Sequence, residues 1–394
     1  MNAIDGKKIV IIGGGPGGLT LARLLQMRGA DVAVYERDHS REARVQGSAL
    51  DLHEDSGLAA LEAAGLMDAF WENHRPDLDR LRLTDQHGTI LHDHPRTMSG
   101  AGKRPEIERG PLRDLLLDSL RPDTVQWDHK LESASLDGNK VALHFANGQS
   151  VLADVAIGAD GANSRLRAIV TPIRPQYVGV TLVEGVVPTA EDAVPELWKL
   201  LGGAALIALG TERTIGMGTK PDGSILFYAG LKTNDPADSE VKRRLEEADN
   251  ADKRVAWFHA NFDGWSEMWA PLFATASSMV WRPLLVCPAD QRWEPKANLT
   301  LIGDAAHVMP PYAGEGVNMA MLDALVLSRG LLSESDPADA IAAYETEMFD
   351  RMKDMTEDTM LNTQMFYAPD AADRVVNLFR SFGEAASGIS ATEQ

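Results

Sequence analysis

Apolar residues along this chain fall into unbroken runs, alternating stretches and helical stripes, and their order predicts the architecture. Ile9 to Ile12 is an unbroken run of four, the pattern of a strand buried on both faces. A glycine turn follows, and then Leu19, Ala22, Leu24 and Leu25 recur at helical spacing. Asp31 to Tyr35 predicts a second strand, so the chain opens strand, turn, helix, strand. Val151 to Ile157 and Asn298 to Ile302 read as further strands, and a helix is expected after Pro111. From Gly314 to Val326 the spacing of Val317, Met321, Leu322, Leu325 and Val326 predicts a glycine-started helix with those residues inward. Ala204 to Leu209 and Ser224 to Leu231 alternate instead, as strands with two unlike faces do. Asp336 and Pro337 make a good helix start, an acid at the N-cap and proline behind it. Ile341, Tyr344, Met348, Met352 and Met355 then form one stripe, read as packing rather than as a cofactor surface.

These elements interleave rather than follow one another. The expected fold class is α/β: a Rossmann-like dinucleotide-binding domain from residues 1–70, 100–170 and 284–332, a β-sheet substrate domain from 71–99 and 171–283, and a C-terminal bridging helix and tail over 333–394. No internal repeat or low-complexity tract is found, and 394 residues, 44% of them hydrophobic, can bury a substantial core.

Charge narrows the partners. Lysine and arginine number 38 against 58 acids, a formal charge of −20 that opposes nucleic acid and anionic membranes. No run approaches membrane-spanning length, and Lys7-Lys8 is followed by only four apolar residues before glycine, so neither a membrane span nor a secretory signal is read and the cytoplasm is the expected location. The lone Cys287 excludes an internal disulfide or a C-x-x-C pair and reads as a small apolar residue. No spacing of histidine, cysteine and acid suggests a metal or a catalytic triad, and a monomer is expected.

Two segments carry chemistry. Gly13-Gly14-Gly15-Pro16-Gly17-Gly18 lies where strand gives way to helix, the context that a dinucleotide-binding G-x-G-x-x-G requires. Gly13 suits the tight turn, Gly15 lets a pyrophosphate approach the backbone, Gly18 lets helix and strand pack closely, and the helix N-terminus supplies unpaired N–H groups. Glu36, 18 residues after Gly18, suits the ribose hydroxyls and would repel a 2′-phosphate. In the second segment, Gly303-Asp304 ends a strand and Gly314-Glu315-Gly316-Val317-Asn318 starts a helix. A carboxylate at a strand end suits ribityl hydroxyls, and a helix dipole beside it suits the pyrimidine edge of a flavin. The two segments together predict FAD. Gly216-Met217-Gly218 lacks the third glycine of a second such turn, so NADPH is expected to dock transiently.

On these residues the chain resembles the single-component, FAD-dependent aromatic-type monooxygenases. Three signatures carry the resemblance: Gly13 to Gly18, the Asp-Gly motif within Ala156 to Ser164, and Gly303-Asp304. Within them it is most similar to the tetracycline-inactivating monooxygenases of the TetX type, through Tyr35-Glu36-Arg37-Asp38, Arg41-Glu42-Ala43-Arg44, Leu50-Asp51-Leu52-His53 and Ile302 to Asn318. The resemblance implies the aromatic hydroxylase fold and an oxidoreductase that consumes NADPH and O2. Oxygen would pass from a flavin C4a-hydroperoxide to an electron-rich carbon of a phenolic or polycyclic small molecule. Tetracycline is the leading candidate, and another aromatic or polyketide metabolite is the alternative. A flavin halogenase is set aside because Trp265-Ser266-Glu267-Met268-Trp269 does not reproduce W-x-W-x-I-P. An FAD-containing drug-binding protein without turnover is the remaining reading of another class.

The resemblance also assigns residues. Cofactor contacts fall on Gly13, Gly15, Pro16, Gly17, Gly18, Glu36, Arg37, Arg44, Asp51, Arg113, Asp160, Gly161, Asp304, Pro311, Gly314, Gly316, Val317 and Asn318. Arg44 is matched to the nicotinamide cofactor and Asp51 to FAD; a solvated ion pair is the other reading of the two. Arg113, expected in the first turn of its helix, is matched to the ribityl and N5 region of the flavin, with a surface pairing to Asp114 or Asp118 as its alternative. Asp160-Gly161 is expected near the pyrophosphate and the NADPH approach. Gly314, Gly316 and the N–H groups leading to Asn318 would stabilise the reduced flavin, and Pro311 and Tyr312 would wall the reaction space. No residue is assigned as catalytic acid or base, and His307 is read as structural. Glu315 stands where relatives usually have glutamine and adds negative charge near the flavin. Substrate contacts map to Glu184, Ala204 and Leu226, where TetX enzymes carry glutamine, arginine and histidine, and Phe366 is a further candidate.

Overall fold

The opening apolar run becomes the central strand of a parallel sheet. Lys8–Ile12 pairs with Asp31–Tyr35 on one side, Ile9 opposite Val32, and with Val155–Gly158 on the other, Ile9 opposite Val155. Leu299–Leu301 and Val125–Gln126 complete five strands at the two edges. Both faces of such a sheet are covered, which is why Ile9, Val10 and Ile11 are fully buried and show no alternation. The computed structural model describes residues 4–43, 49–76, 80–93, 104–234, 239–333 and 336–390.

The chain divides into two compact units, Met1–His74 with Ile107–Gln176 and Leu285–Thr359, and Arg75–Glu106 with Tyr177–Leu284 and Met360–Gln394. In the first unit, the helix Pro16–Gln26 runs against the helix Gly316–Leu331, and the two approach closely at Gly17: a Cβ there would stand 2.8 Å from the Ala320 carbonyl oxygen. The strand expected over 151–157 is two strands in two sheets. Ser150–Ala153 joins Lys140–Phe145 and Leu131–Asp137 in an antiparallel sheet, and Val155–Gly158 joins the parallel one. The break falls at Asp154, whose carboxylate accepts the Lys8 N–H at 2.9 Å and pairs with Lys140 at 2.6 Å.

The long helix begins at Pro337 and runs to Phe366. Ile341, Tyr344, Met348 and Met352 are buried in the first unit's core with Met355 against it, so the stripe is packing, and the Tyr344 hydroxyl donates to the Leu301 carbonyl at 2.9 Å. The segment 333–394 is not a unit of its own: it divides after Thr359, and its last part contains a second helix, Ala371–Ser390, where only a tail was expected. Gly383 and Gly388 weaken the helical signal there, while Ala371, Val375 and Val376 supply the buried side.

The second unit is built on a seven-stranded mixed sheet in the order Ser278–Val286, Gln176–Val187, Ile225–Lys232, Arg213–Thr219, Ala205–Gly210, Leu81–Asp85 and Ile90–Asp93. One face carries Val183, Val187, Ile215, Phe227, Ala229 and Leu231 into a core with Trp257, Phe258, Phe262 and Phe273, the rings of Phe258 and Phe273 stacked at 4.8 Å. Among the described residues no helix is long and apolar enough to cross a membrane.

Candidate functional site

The glycines of the first segment sort into two kinds. Gly13 has a φ of +113°, and a Cβ there would lie 2.2 Å from the Ala159 carbonyl oxygen, so the turn admits no other residue. A Cβ on Gly18 would meet the Gly13 oxygen at 2.2 Å. Among the described residues, no atom lies within 4 Å of the Cβ position of Gly15, Gly161 or Gly316. The first kind lets protein pack on protein; the second leaves room for something else to approach the backbone. Gly15 also precedes the helix Pro16–Gln26, whose first N–H groups lack intrahelical acceptors.

Glu36 is buried beside this turn. Its Oε2 accepts the Gly14 N–H at 2.6 Å and its Oε1 accepts the Asp38 N–H at 3.1 Å. Arg113, also buried, donates to the carbonyls of Gly14 at 3.3 Å and Arg41 at 2.9 Å, stands 3.8 Å from Asp38 and lies 5.3 Å from the Trp127 ring centre. The surface pairing with Asp114 or Asp118 is thereby corrected: both acids are taken by Arg41, at 2.8 and 2.6 Å. Arg113 falls in the second turn of Arg109–Asp118, because the helix starts two residues before Pro111. Arg37 is exposed, and Arg44 lies outside the described residues.

The second segment is tied down on both sides of Asp304. Buried Arg167 donates to the carbonyls of Asp304 at 2.6 Å and Ala305 at 2.7 Å. Asp323, fully buried, accepts the Gly303 N–H at 2.8 Å and pairs with His307 and Arg351, both at 2.6 Å. Burial alone would raise the Asp323 pKa; His307, Arg351 and the Gly303 N–H outweigh it and hold the carboxyl below its ordinary value. Asp304 itself is exposed, yet protein surrounds its carboxyl densely enough to push its pKa up, His307, Arg109 and Arg167 opposing. Exposure within dense surroundings marks the floor of a cleft. Burial likewise raises Asp160, against a hydrogen bond from Ser164 and the Arg165 N–H, which Oδ2 accepts at 2.9 Å.

A third cluster stands at the start of Gly316–Leu331. Gly314, at a φ of +71°, closes the short 3-10 turn Pro311–Ala313, so the helix begins two residues later than the spacing suggests. Asp51 and Glu315 flank His53: Nε2 is 3.0 Å from Asp51 Oδ2 and Nδ1 is 3.0 Å from Glu315 Oε1. Asp51 is thus a partner of His53, and its pairing with Arg44 lies outside the described residues. The Asn318 side chain is a clamp: it donates to the carbonyls of Asp51 at 2.9 Å and Gly314 at 3.1 Å and accepts the His53 N–H at 2.9 Å. What this helix start offers outward is its first N–H groups, on Gly316, Val317 and Asn318. Pro311 is exposed, and Tyr312 and Val317 are half-buried.

In the second unit, the sheet face opposite the aromatic core holds Glu184, Tyr228 and Leu226, with Gly216 opposite Tyr228 and Gly218 opposite Leu226. Among the described residues, no atom lies within 4 Å of the Cβ position of either glycine. Glu184 accepts from Nε and Nη2 of Arg282, at 2.9 and 3.0 Å, so the charge of the acid expected there is balanced by an arginine. Ala204 is fully buried just before its strand, Leu226 is buried, and Phe366 is buried at the end of its helix. Next to it the Tyr367 hydroxyl lies 3.0 Å from Thr214 Oγ1.

Residues 7–199 and 291–359 match the FAD binding domain family. The chain belongs to that family of flavin monooxygenases. A relative named monooxygenase penA, from Penicillium thymicola, is 30% identical over 95% of this chain and 98% of its own. The fold is shared with the crystal structure of Klebsiella pneumoniae HpxO complexed with FAD and uric acid, at a TM-score of 0.75 and 24% identity over 97% of this chain and 94% of that one. It is shared equally with tetracycline destructase Tet(55), at 0.75 and 20% identity over 96% of each.

The monooxygenase is thus an FAD enzyme, and its first unit fits the cofactor: open glycines at positions 15, 161 and 316, two helix starts and a cleft-floor carboxylate. When bound, FAD supplies the redox and oxygen chemistry, and the protein supplies orientation and charge placement. Sequence alone does not assign His53, Arg167 or Arg282: His53 lies in the Leu50-Asp51-Leu52-His53 stretch without a role of its own, and Arg167 and Arg282 carry no local motif, since their partners stand 138 and 98 residues away.

Proposed function

We propose that this monooxygenase uses NADPH and O2 to hydroxylate a planar phenolic or enolic small molecule, received on the open face of the second unit's sheet. The observation that carries the reading is the floor at Gly216 and Gly218, bare of side chains and bordered by Tyr228 and the Glu184–Arg282 pair. A flat ring can lie on such a floor, with an aromatic wall beside it and guanidinium N–H groups for its oxygens. Uric acid, bound by HpxO, and the fold shared with Tet(55) support oxygen-rich ring compounds as the class. Tetracycline is the first polycyclic member to try. Its recognition would rest on Arg282 rather than on Glu184, Ala204 and Leu226 as a polar set.

Substrate-stimulated NADPH oxidation across phenols, urate-like heterocycles and tetracycline tests the proposal. Stimulation by a ring compound whose KM rises about tenfold in Arg282→Ala, the loss of a hydrogen bond to a charged group, is expected. Stimulation unaffected by Arg282→Ala would remove this face from the account.

A further inference from the structure

We propose that His53, held between Asp51 and Glu315, is a positioning residue that sets the charge beside the bound flavin and with it the flavin's reduction potential. The proposal rests on FAD lying at the start of Gly316–Leu331, and not on the identity of the substrate.

Hydrogen-bond chemistry comes first. Each nitrogen of the His53 ring faces a carboxylate oxygen at 3.0 Å. An ionised carboxylate only accepts, and a neutral imidazole has one N–H, so both contacts are satisfied together only by the doubly protonated ring. The His53 side chain is 8% exposed and that of Glu315 10%, so water screens the Glu315 contact little. Burial opposes the charged ring, but the two carboxylates outweigh it and raise its pKa to about 9. A doubly protonated ring between two ionised carboxylates leaves the three groups with one net negative charge.

The array is rigidly coupled to the helix start. Asn318 ties the backbones of Asp51, His53 and Gly314 to the first turn, and a Cβ on Gly314 would press to 3.0 Å from Asp51 Oδ1. Glu315 immediately precedes the helix, and its second oxygen, Oε2, is buried with no hydrogen-bond partner among the described residues. A buried carboxylate oxygen left unmet is costly, so it marks where a bound group completes the site. A negative charge fixed there disfavours placing further negative charge on a neighbour, as reduction of a flavin does. His53 offsets that charge.

The test is the midpoint potential of the FAD-loaded protein, without substrate, for the wild type, His53→Gln, Glu315→Gln and the double variant. His53→Gln removes a positive charge and is expected to lower the potential; Glu315→Gln removes a negative one and is expected to raise it. The double variant restores the net charge and is expected to return towards the wild type. Flavin absorbance, read on each variant, reports loading separately. Shifts of the same sign, or none, in variants that keep FAD overturn the proposal. If His53→Gln does not fold, an unshifted Glu315→Gln alone overturns it.

Discussion

The backbone N–H of Gly14 donates to Oε2 of Glu36 at 2.6 Å, and this contact fixes the acid beside the dinucleotide turn. Glu36 thereby serves the turn as well as any ribose. Hydrogen bonds to charged groups are worth about 1.5–3 kcal/mol, so Glu36→Ala is expected to weaken FAD binding at least about tenfold, read by flavin fluorescence titration. Unchanged affinity would separate Glu36 from the cofactor.

Gly17 carries the contact between two helices, and its Cβ position lies 2.8 Å from backbone. Backbone at that distance must move. Gly17→Ala is expected to cost about 1–3 kcal/mol, seen as a lower denaturation midpoint, despite alanine's better helix propensity. Gly15→Ala, with open space around it, is expected to spare the apoprotein and impair FAD binding.

His53 makes stability depend on pH in a defined window. Its pKa is raised on folding from 6.5 to about 9 by Asp51 and Glu315, with burial opposing. The stabilisation is therefore complete below about 6.5 and is lost as pH rises through about 9. Thermal melts of the wild type are expected to fall over that window, and His53→Gln is expected to lose this component of the slope. Parallel profiles for the two proteins would contradict it.

Asp323 joins the Gly303 turn, His307 and Arg351 at a fully buried position. Removing one member of such a network leaves charge uncompensated, which costs about 3–5 kcal/mol. Asp323→Ala is expected to lose that much in urea unfolding. A loss below about 1 kcal/mol would mean that the network contributes little.

Local pattern made part of this legible. The turn from Gly13 to Gly18 and the acid at Glu36 could be read because strand, glycines and helix are consecutive, and each has a geometric requirement few residues meet. The methionine stripe could be read because helical spacing persists over many turns. Asp154 hid the break between two strands, since an acid inside an apolar run gives no sign that it caps a backbone N–H from residue 8. Arg167, Arg282 and the Glu315 end of the His53 array were hidden for the same reason: their partners are distant in sequence, and pairing of that kind is decided by tertiary packing.

Turnover is expected to carry an oxygen atom from O2 into a small ring compound. The direct measurement is mass spectrometry of product formed by the FAD-loaded protein with NADPH under ¹⁸O₂, using whichever compound stimulates NADPH oxidation most. The expected result is a product carrying one labelled oxygen, formed in proportion to the NADPH consumed. NADPH consumption with an unlabelled or unchanged compound would contradict the account and leave an oxidase or a binding protein in its place.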